Sequence, residues 1–251
     1  NENIEITNSK IKVLEFNFNL GIAEAQNKGM DWAYANGADF VLHLDQDSMP
    51  DKNIVKNLVE SYYRLLELGY SVGLLGSTFY DHVTNKLHEK NQLYYSKSIE
   101  QTDEFLTNSF LISSGMLIPK STYKTVGLFE SDLFIDLVDF EYCWRVTKFN
   151  LSVHLVKKAR IETSVGKGIV RVFFNLYEII DIVPIREYYS TRNTIVLAKR
   201  NYVPLIWKNI NLIRILFRLI LNPIFLDKGF LRIKYISVGI YHGLIGKTGK
   251  Y

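Results

Sequence analysis

The sequence predicts an α/β fold in which strands and helices alternate around a mostly parallel, Rossmann-like sheet. Three observations point to it. Short apolar runs at residues 40–44 (FVLHL) and 71–77 (SVGLLGS) have the length of buried strands. Between them Ile54, Val55, Leu58, Val59, Tyr62, Leu65 and Leu66 recur at helical spacing. The connections are short, which is the pattern of βαβ units.

Taken in order, residues 11–16 (IKVLEF) alternate and read as a strand. A helix is expected over about 21–35, with Ile22, Ala25, Gly29 and Ala33 on one face and Gly37 as its stop. Asp51 is placed to cap the following helix, which runs to Gly69. Residues 79–104 are polar and irregular and read as a loop or small hairpin. Residues 110–118 read as a strand containing Ser113, Ser114 and Gly115, with a short helix after Pro119. An acidic cluster at 133–141 precedes another helix, 152–156 form a last strand, and the chain turns helical from Pro184. The composition shift near 165–180 divides the chain into a catalytic domain over 1–180 and a basic helical extension over 181–251.

A chain of 251 residues with 47% hydrophobic and 22% charged residues can bury a core and is not disordered. Its one cysteine, Cys143, excludes an internal disulfide framework and favours a reducing compartment. The first residues, NENIEITNSK, are polar and carry no initiator Met, so the reading is a fragment without a signal peptide. No apolar run reads as a membrane span. Charge is uneven. Residues 1–150 hold 13 Lys or Arg against 21 Asp or Glu, and residues 151–251 hold 17 against 5. A basic C-terminal third suits an anionic partner, and an amphipathic basic helix suits a membrane surface or packing on a neighbour. Nucleic-acid motifs are absent.

The chemistry concentrates in three places. The 40–44 strand stops at Asp45-Gln46-Asp47, followed by Ser48. In open α/β sheets ligands collect beyond the carboxyl ends of strands. Two hard oxygen donors there suit Mg²⁺ or Mn²⁺, which takes one or two carboxylates and completes its shell with water and diphosphate oxygens. A solvated turn is the plainer alternative. In the second, LFIDLVDFEYCWR, Asp136 and Asp139 share a helix face, and either carboxylate could take a proton from an acceptor hydroxyl. Asp139 is the favoured base and Asp136 the runner-up. Against this, Asp136 could cap the helix and Glu141 could simply pair with Arg145. In the third, REYYSTRN, Arg186 and Arg192 have the fork geometry that suits a diphosphate, but on spacing alone a solvated face with tyrosines packed on the core is the better reading. His43 reads as packed within its strand. His82, His88, His154 and His242 lack metal-ligand spacing, and no Gly-rich phosphate loop is present.

The order of these segments resembles family 2 glycosyltransferases of the GT-A fold, in particular bacterial rhamnosyltransferases of O-antigen and cell-wall polysaccharide assembly. The matching stretches are NLGIAEAQNKG at 19–29, the strand ending LDQDS, Ser113-Ser114-Gly115, residues 134–145 and REYYSTRN at 186–193. The resemblance spans residues 11 to about 200. It implies inverting transfer from a nucleoside-diphosphate sugar, dTDP-L-rhamnose, to a glycan or lipid-linked acceptor at the inner face of the cell membrane. It assigns Asp45 and Asp47 to a divalent metal and Asp139, with Asp136, to catalysis. Asn19, Gly21, Ala25, Asn27, Gln46, Arg186 and Arg192 fall at donor-side positions, and Ser114, Gly115 and Glu141 at acceptor-side positions. The sequence departs from the pattern twice. Val138 stands where the family has a glutamate beside the catalytic aspartate, and Thr163 stands where many members carry a histidine. The chain also begins after the family's first two strands. A metal-dependent nucleotidyltransferase and a non-catalytic nucleotide-sugar-binding subunit are the rival readings.

Overall fold

A computed structural model of the chain describes residues 10–81, 86–87, 104–107, 110–163, 169–172 and 177–251. The elements run α1 (Ile22–Ala35), β1 (Phe40–Leu42), β2 (Met49–Pro50), α2 (Ile54–Glu67), β3 (Val72–Asp81), β4 (Lys86–Leu87), β5 (Phe105–Thr107), β6 (Met116–Pro119) and α3 (Lys120–Val126). A 3-10 turn at Ser131–Leu133 leads to α4 (Val138–Lys148), β7 (Ser152–Thr163), β8 (Ile169–Val172) and β9 (Tyr177–Ile180). Three helices close the chain: α5 (Pro184–Ala198), α6 (Leu205–Phe225) and α7 (Gly229–Ile245).

The main sheet runs β1-β6-β3-β7-β2. Its long central ladder, β3 on β7, is parallel and extends from Val72↔Ser152 to Asp81↔Thr163. The flanking pairs β1–β6, β3–β6 and β2–β7 are antiparallel. On one face α1 and α4 bury Met30, Tyr34, Tyr142 and Trp144 against Leu74, Ile118 and Val153. On the other face α2 buries Ile54, Leu58 and Leu65 against Leu75, Leu117 and Ile161. The buried positions of α1, Ala23, Asn27, Met30 and Tyr34, recur every three or four residues, the spacing of one helical face. It is not the face expected from Ile22, Ala25, Gly29 and Ala33, none of which is buried; Asn27 turns inward instead to bond the Phe129 backbone. The α/β class expected from the alternation is the one observed, as a mixed sheet: the parallel pairing expected for most of it is carried by the long central β3–β7 ladder, and the strands around it pair antiparallel.

Three further local expectations shift. Residues 11–16 pair with no strand among the described residues, and Ile11, Val13 and Phe16 are exposed. Alternation alone does not make a strand where no ladder partner is at hand. The strand expected at 110–118 begins only at Met116, because Ser113-Ser114-Gly115 forms a turn with Gly115 at φ +83°. Asp51 lies ahead of the cap position and accepts a hydrogen bond from Asn53 N at 2.8 Å. Of the irregular stretch at 79–104, residues 82–85 and 88–103 lie outside the described residues, and so do His82 and His88.

The C-terminal helices are tied to one another and to the segment ahead of α5 through buried polar contacts. Arg232 is fully buried and donates to Asp227 O, Ile182 O, Asp181 Oδ1 and Asp227 Oδ1 at 2.7–2.9 Å. A buried guanidinium is tolerated only when its donors are met in this way. Gly239 and Gly243 let α7 lie directly on α5. A Cβ on either would stand 2.8 Å from Tyr188 O or from Ile195 Cβ.

Candidate active site

The site forms where β1 ends. Its ladder to β6 continues one step past Leu42, with His43 N donating to Met116 O at 2.9 Å and Gly115 N to His43 O at 2.8 Å. The chain then turns through Asp45-Gln46-Asp47, all exposed, and Ser48 N closes the turn on Asp45 O at 3.1 Å. Ser114 holds this turn in place. Its hydroxyl accepts from Asp45 N at 3.2 Å and bonds to the Ser48 hydroxyl. Gly115 is required at the crossing. Its φ of +83° lies in the left-handed region, and a Cβ there would stand 2.6 Å from Ile161 and 2.8 Å from Ser77.

The neighbouring residue, Ser113, holds the second carboxylate. Its N–H donates to Asp139 Oδ2 at 3.1 Å, and Phe140 N donates to Asp139 Oδ1 at 2.9 Å. Consecutive residues therefore pin the DQD turn and Asp139 into one locality. Burial pushes the Asp139 carboxyl up to about 6 despite those two N–H donors. A carboxylate with that affinity for a proton is suited to general-base work near neutral pH. Burial, and then the charge of Asp47, raise the Asp45 carboxyl. Two exposed carboxylates one residue apart, the charge of Asp47 adding to the rise at Asp45, are the donor type that suits a divalent cation whose shell water and a diphosphate would complete. No set of three or more His, Cys, Asp or Glu ligands occurs among the described residues, so an all-protein cage is not part of this fit.

The acidic loop before α4 is unusual in its backbone. Phe134, Asp136 and Leu137 all have φ between 64° and 66°, a region that costs a non-glycine residue about 1–3 kcal/mol. The surroundings over-determine it. Asn193 Nδ2 donates to Leu133 O, Ile135 O and Asp136 O at 3.0, 2.8 and 2.8 Å. Arg192 donates to Leu133 O at 2.9 Å and to Gly249 O, and its guanidinium lies over the Tyr188 and Tyr189 rings. From the other side Ile22 N donates to Phe134 O at 2.8 Å. Gly21 permits this approach, since a Cβ at its φ of +80° would stand 2.6 Å from that carbonyl oxygen. Asn19 Oδ1 accepts from Gly21 N at 2.9 Å and fixes the entry to α1.

This geometry sorts the expected residues. Asp45, Gln46, Asp47, Ser114, Gly115 and Asp139 come together. Asp136 does not cap α4, as Leu137 holds the cap position; it pairs instead with Arg186, whose side chain remains 44% exposed. Asp136 thereby raises the Arg186 pKa. Three residues expected to meet ligand are engaged in the scaffold. Asn27 is buried, donates to Phe129 O and accepts from Phe129 N, both at 2.9 Å. Arg192 is buried and bound to loop carbonyls as above. Glu141 is fully buried, paired with Arg145 at 2.8 Å and with Tyr202 Oη at 2.7 Å. Ser114 and Gly115 likewise direct their polar atoms at the protein: Ser114 holds the DQD turn, and Gly115 O accepts from Ser77 N and Oγ at 3.0 and 3.1 Å. Ala25 is half-buried on α1.

Two residues belong at the site that sequence reasoning did not single out. Gln26 Nε2 donates to Ser113 Oγ at 2.6 Å, tying α1 to the turn that holds Asp139. Asn193 is the chief clamp of the acidic loop. Nothing in helical periodicity distinguishes an inward-facing amide that binds carbonyls from one packed in a core. An open cleft of about 380 Å³ adjoins the DQD turn, lined by Lys12, Gln26, Met30, Trp32, His43 and Leu44 among others. Burial holds the His43 pKa down at about 4, so the ring is neutral, and it packs against Phe129 with ring centroids 5.3 Å apart and planes tilted by 37°.

With the geometry in place, known proteins supply the class. No protein-family model matches the chain. The dTDP-rhamnosyl transferase RfbF of Shigella flexneri is 28% identical over 245 residues, which cover 96% of this chain and 79% of that protein. The chain is homologous to a glycosyltransferase. The family resemblance drawn from the five motifs is therefore supported at the level of sugar transfer, and the α/β architecture expected of a GT-A domain is present. Among solved structures, GalNAc-T7 with UDP, GalNAc and Mn²⁺ aligns at a TM-score of 0.43 and 10% identity, over 90% of this chain and 44% of that one. The likeness is too low to locate any group in this glycosyltransferase homologue.

Proposed function

We propose that the protein transfers rhamnose from dTDP-L-rhamnose to a hydroxyl of a glycan or lipid-linked acceptor, with inversion at the anomeric carbon. The observation that carries this reading is the Ser113–Ser114 turn, which pins a proton acceptor with one residue and a metal-type carboxylate pair with the next. Support for the donor comes from RfbF, whose name specifies dTDP-rhamnosyl transfer.

In this mechanism Asp139 accepts the proton of the acceptor hydroxyl. The acceptor oxygen attacks the anomeric carbon as the bond from that carbon to the diphosphate breaks. Asp45 and Asp47 would hold Mg²⁺ or Mn²⁺, which neutralises charge on the departing diphosphate when bound. Arg186, which pairs with Asp136, and Gln46 would meet the same oxygens. The cleft beside Trp32 and Gln26 would receive the nucleoside, and the N-terminal end of α1, at Asn19, Gly21 and Ala25, would flank the donor. Clamping by Asn193 and Arg192 keeps the Asp139 loop from relaxing out of its left-handed backbone. We place the protein at the inner face of the cell membrane, peripherally, where a lipid-linked acceptor is presented.

The test is release of dTDP from dTDP-L-rhamnose by the full chain with Mg²⁺ and an acceptor, beside a panel of other nucleotide sugars. Turnover of the rhamnosyl donor alone supports the reading. Preference for a different sugar nucleotide overturns the donor assignment, and binding of all donors without product overturns catalysis in favour of a non-catalytic subunit.

A further inference from the structure

Away from the site, a run of exposed apolar side chains lies along α6. Leu205, Leu212, Leu216, Ile220 and Ile224 follow one another at helical spacing and are 40–72% exposed. The opposite face of the same helix buries Trp207, Ile215 and Asn222. Twenty-one residues make the stripe about 31 Å long at 1.5 Å per residue. Just beyond its C-terminal end Phe230 is 93% exposed at the start of α7. Gly229 brings it there, approaching Pro223 so closely that a Cβ would stand 2.5 Å from the Pro223 oxygen.

The charge around this stripe has one sign. From residue 205 to the end the sequence carries eight Lys or Arg and a single acid, Asp227. Of the cations, Arg232 is buried and Arg218 pairs with Glu187; the others are Lys208, Arg214, Lys228, Lys234, Lys247 and Lys250. An interface between two copies about a two-fold would set this positive rim against itself. An acidic lipid headgroup layer complements both parts, taking the apolar stripe into its acyl boundary and the cations into its surface. No helix among the described residues is long and apolar enough to cross a membrane, which leaves α6 lying in the interface.

We propose that the exposed face of α6, with Phe230, is a docking surface for an anionic lipid bilayer. The proposal deepens the peripheral location given above and rests on it, while standing apart from the transfer chemistry.

The test uses the full chain without substrates, floated with vesicles of phosphatidylglycerol and phosphatidylcholine or of phosphatidylcholine alone. The expected result is retention on the anionic vesicles only, weakened by high salt. The triple variant Leu212→Ser, Leu216→Ser, Ile220→Ser is expected to lower retention about tenfold or more with an unchanged melting curve. Phe230→Ser, at a position too exposed to disturb the core, is expected to lower it in the same direction. Absence of retention on anionic vesicles overturns the proposal, as does retention that neither variant changes. A dimer in sedimentation that the triple variant converts to monomer, with no vesicle binding, assigns the face to a second copy instead. Turnover with a soluble acceptor, measured on the same variants, reads the transfer reaction separately from lipid binding.

Discussion

The acidic loop at 132–139 and the DQD turn at 45–47 both offer carboxylates, yet they are built in opposite ways. The loop holds three non-glycine residues in left-handed backbone and is gripped from two sides, by Asn193 and Arg192 of α5 and by Ile22 at the start of α1. The DQD turn is exposed and held by one serine hydroxyl and one backbone bond. The difference matches the role proposed for each. A base must stay within hydrogen-bond reach of its proton, so its support is rigid. Ligands of a hard cation with an open shell can be arranged by the cation and the diphosphate themselves.

Variants separate the two designs, and the largest effect is expected at the base. Asp139→Asn removes the proton acceptor and keeps the shape, so turnover should fall by roughly 10²–10⁴ with the melting temperature nearly kept. Next is Asp45→Asn. It takes away one carboxylate of a pair that disfavour each other, so metal-supported turnover should fall roughly a hundredfold while stability holds or rises slightly. A melting curve beside a Mg²⁺ titration checks both halves.

Asn193→Ala should reverse that pattern. It strips one donor group from three loop carbonyls, costing about 1–3 kcal/mol, which for a chain of this size lowers the melting temperature by roughly 2–12 °C. Turnover should drop less than in Asp139→Asn, because the base is still present but less well held. The smallest change is expected from Arg186→Gln. Its partly exposed pair with Asp136 contributes about 0–1 kcal/mol, so stability should scarcely move, while the donor KM rises if the guanidinium meets the diphosphate. A variant Asn193→Ala that melts like the wild type would remove the contrast between the two regions.

Much of this was legible in the sequence. The helices over 22–35 and 54–67 declared themselves by periodicity, and the acids of the site by their place after a short apolar run. The strand expected at 11–16 was not legible as coil, because pairing is a property of neighbours and not of alternation. Arg192 shows the same limit within the site. Its residue type suits a diphosphate, but its burial beneath Tyr188 and Tyr189 and its bonds to Leu133 and Gly249 depend on how α5 meets a loop some sixty positions earlier. Glu141 was legible as the partner of Arg145 by its i,i+4 spacing; Tyr202, which completes the pair, was not. The division near residue 180 marks a change in composition, across which α5 contributes the clamp of the acidic loop.

The central claim is that Asp139 is the base, held at a proton affinity set by burial. Release of nucleoside diphosphate as a function of pH, followed in the wild type and Asp139→Asn side by side, tests it most directly. A buried carboxyl raised to about 6 is protonated and inactive below that value and charged and active above it, so kcat/KM should fall as pH drops through about 6. That acidic limb should be missing from the residual activity of the variant. Wild-type rates that stay flat well below pH 6, or a variant with full activity, would contradict the assignment.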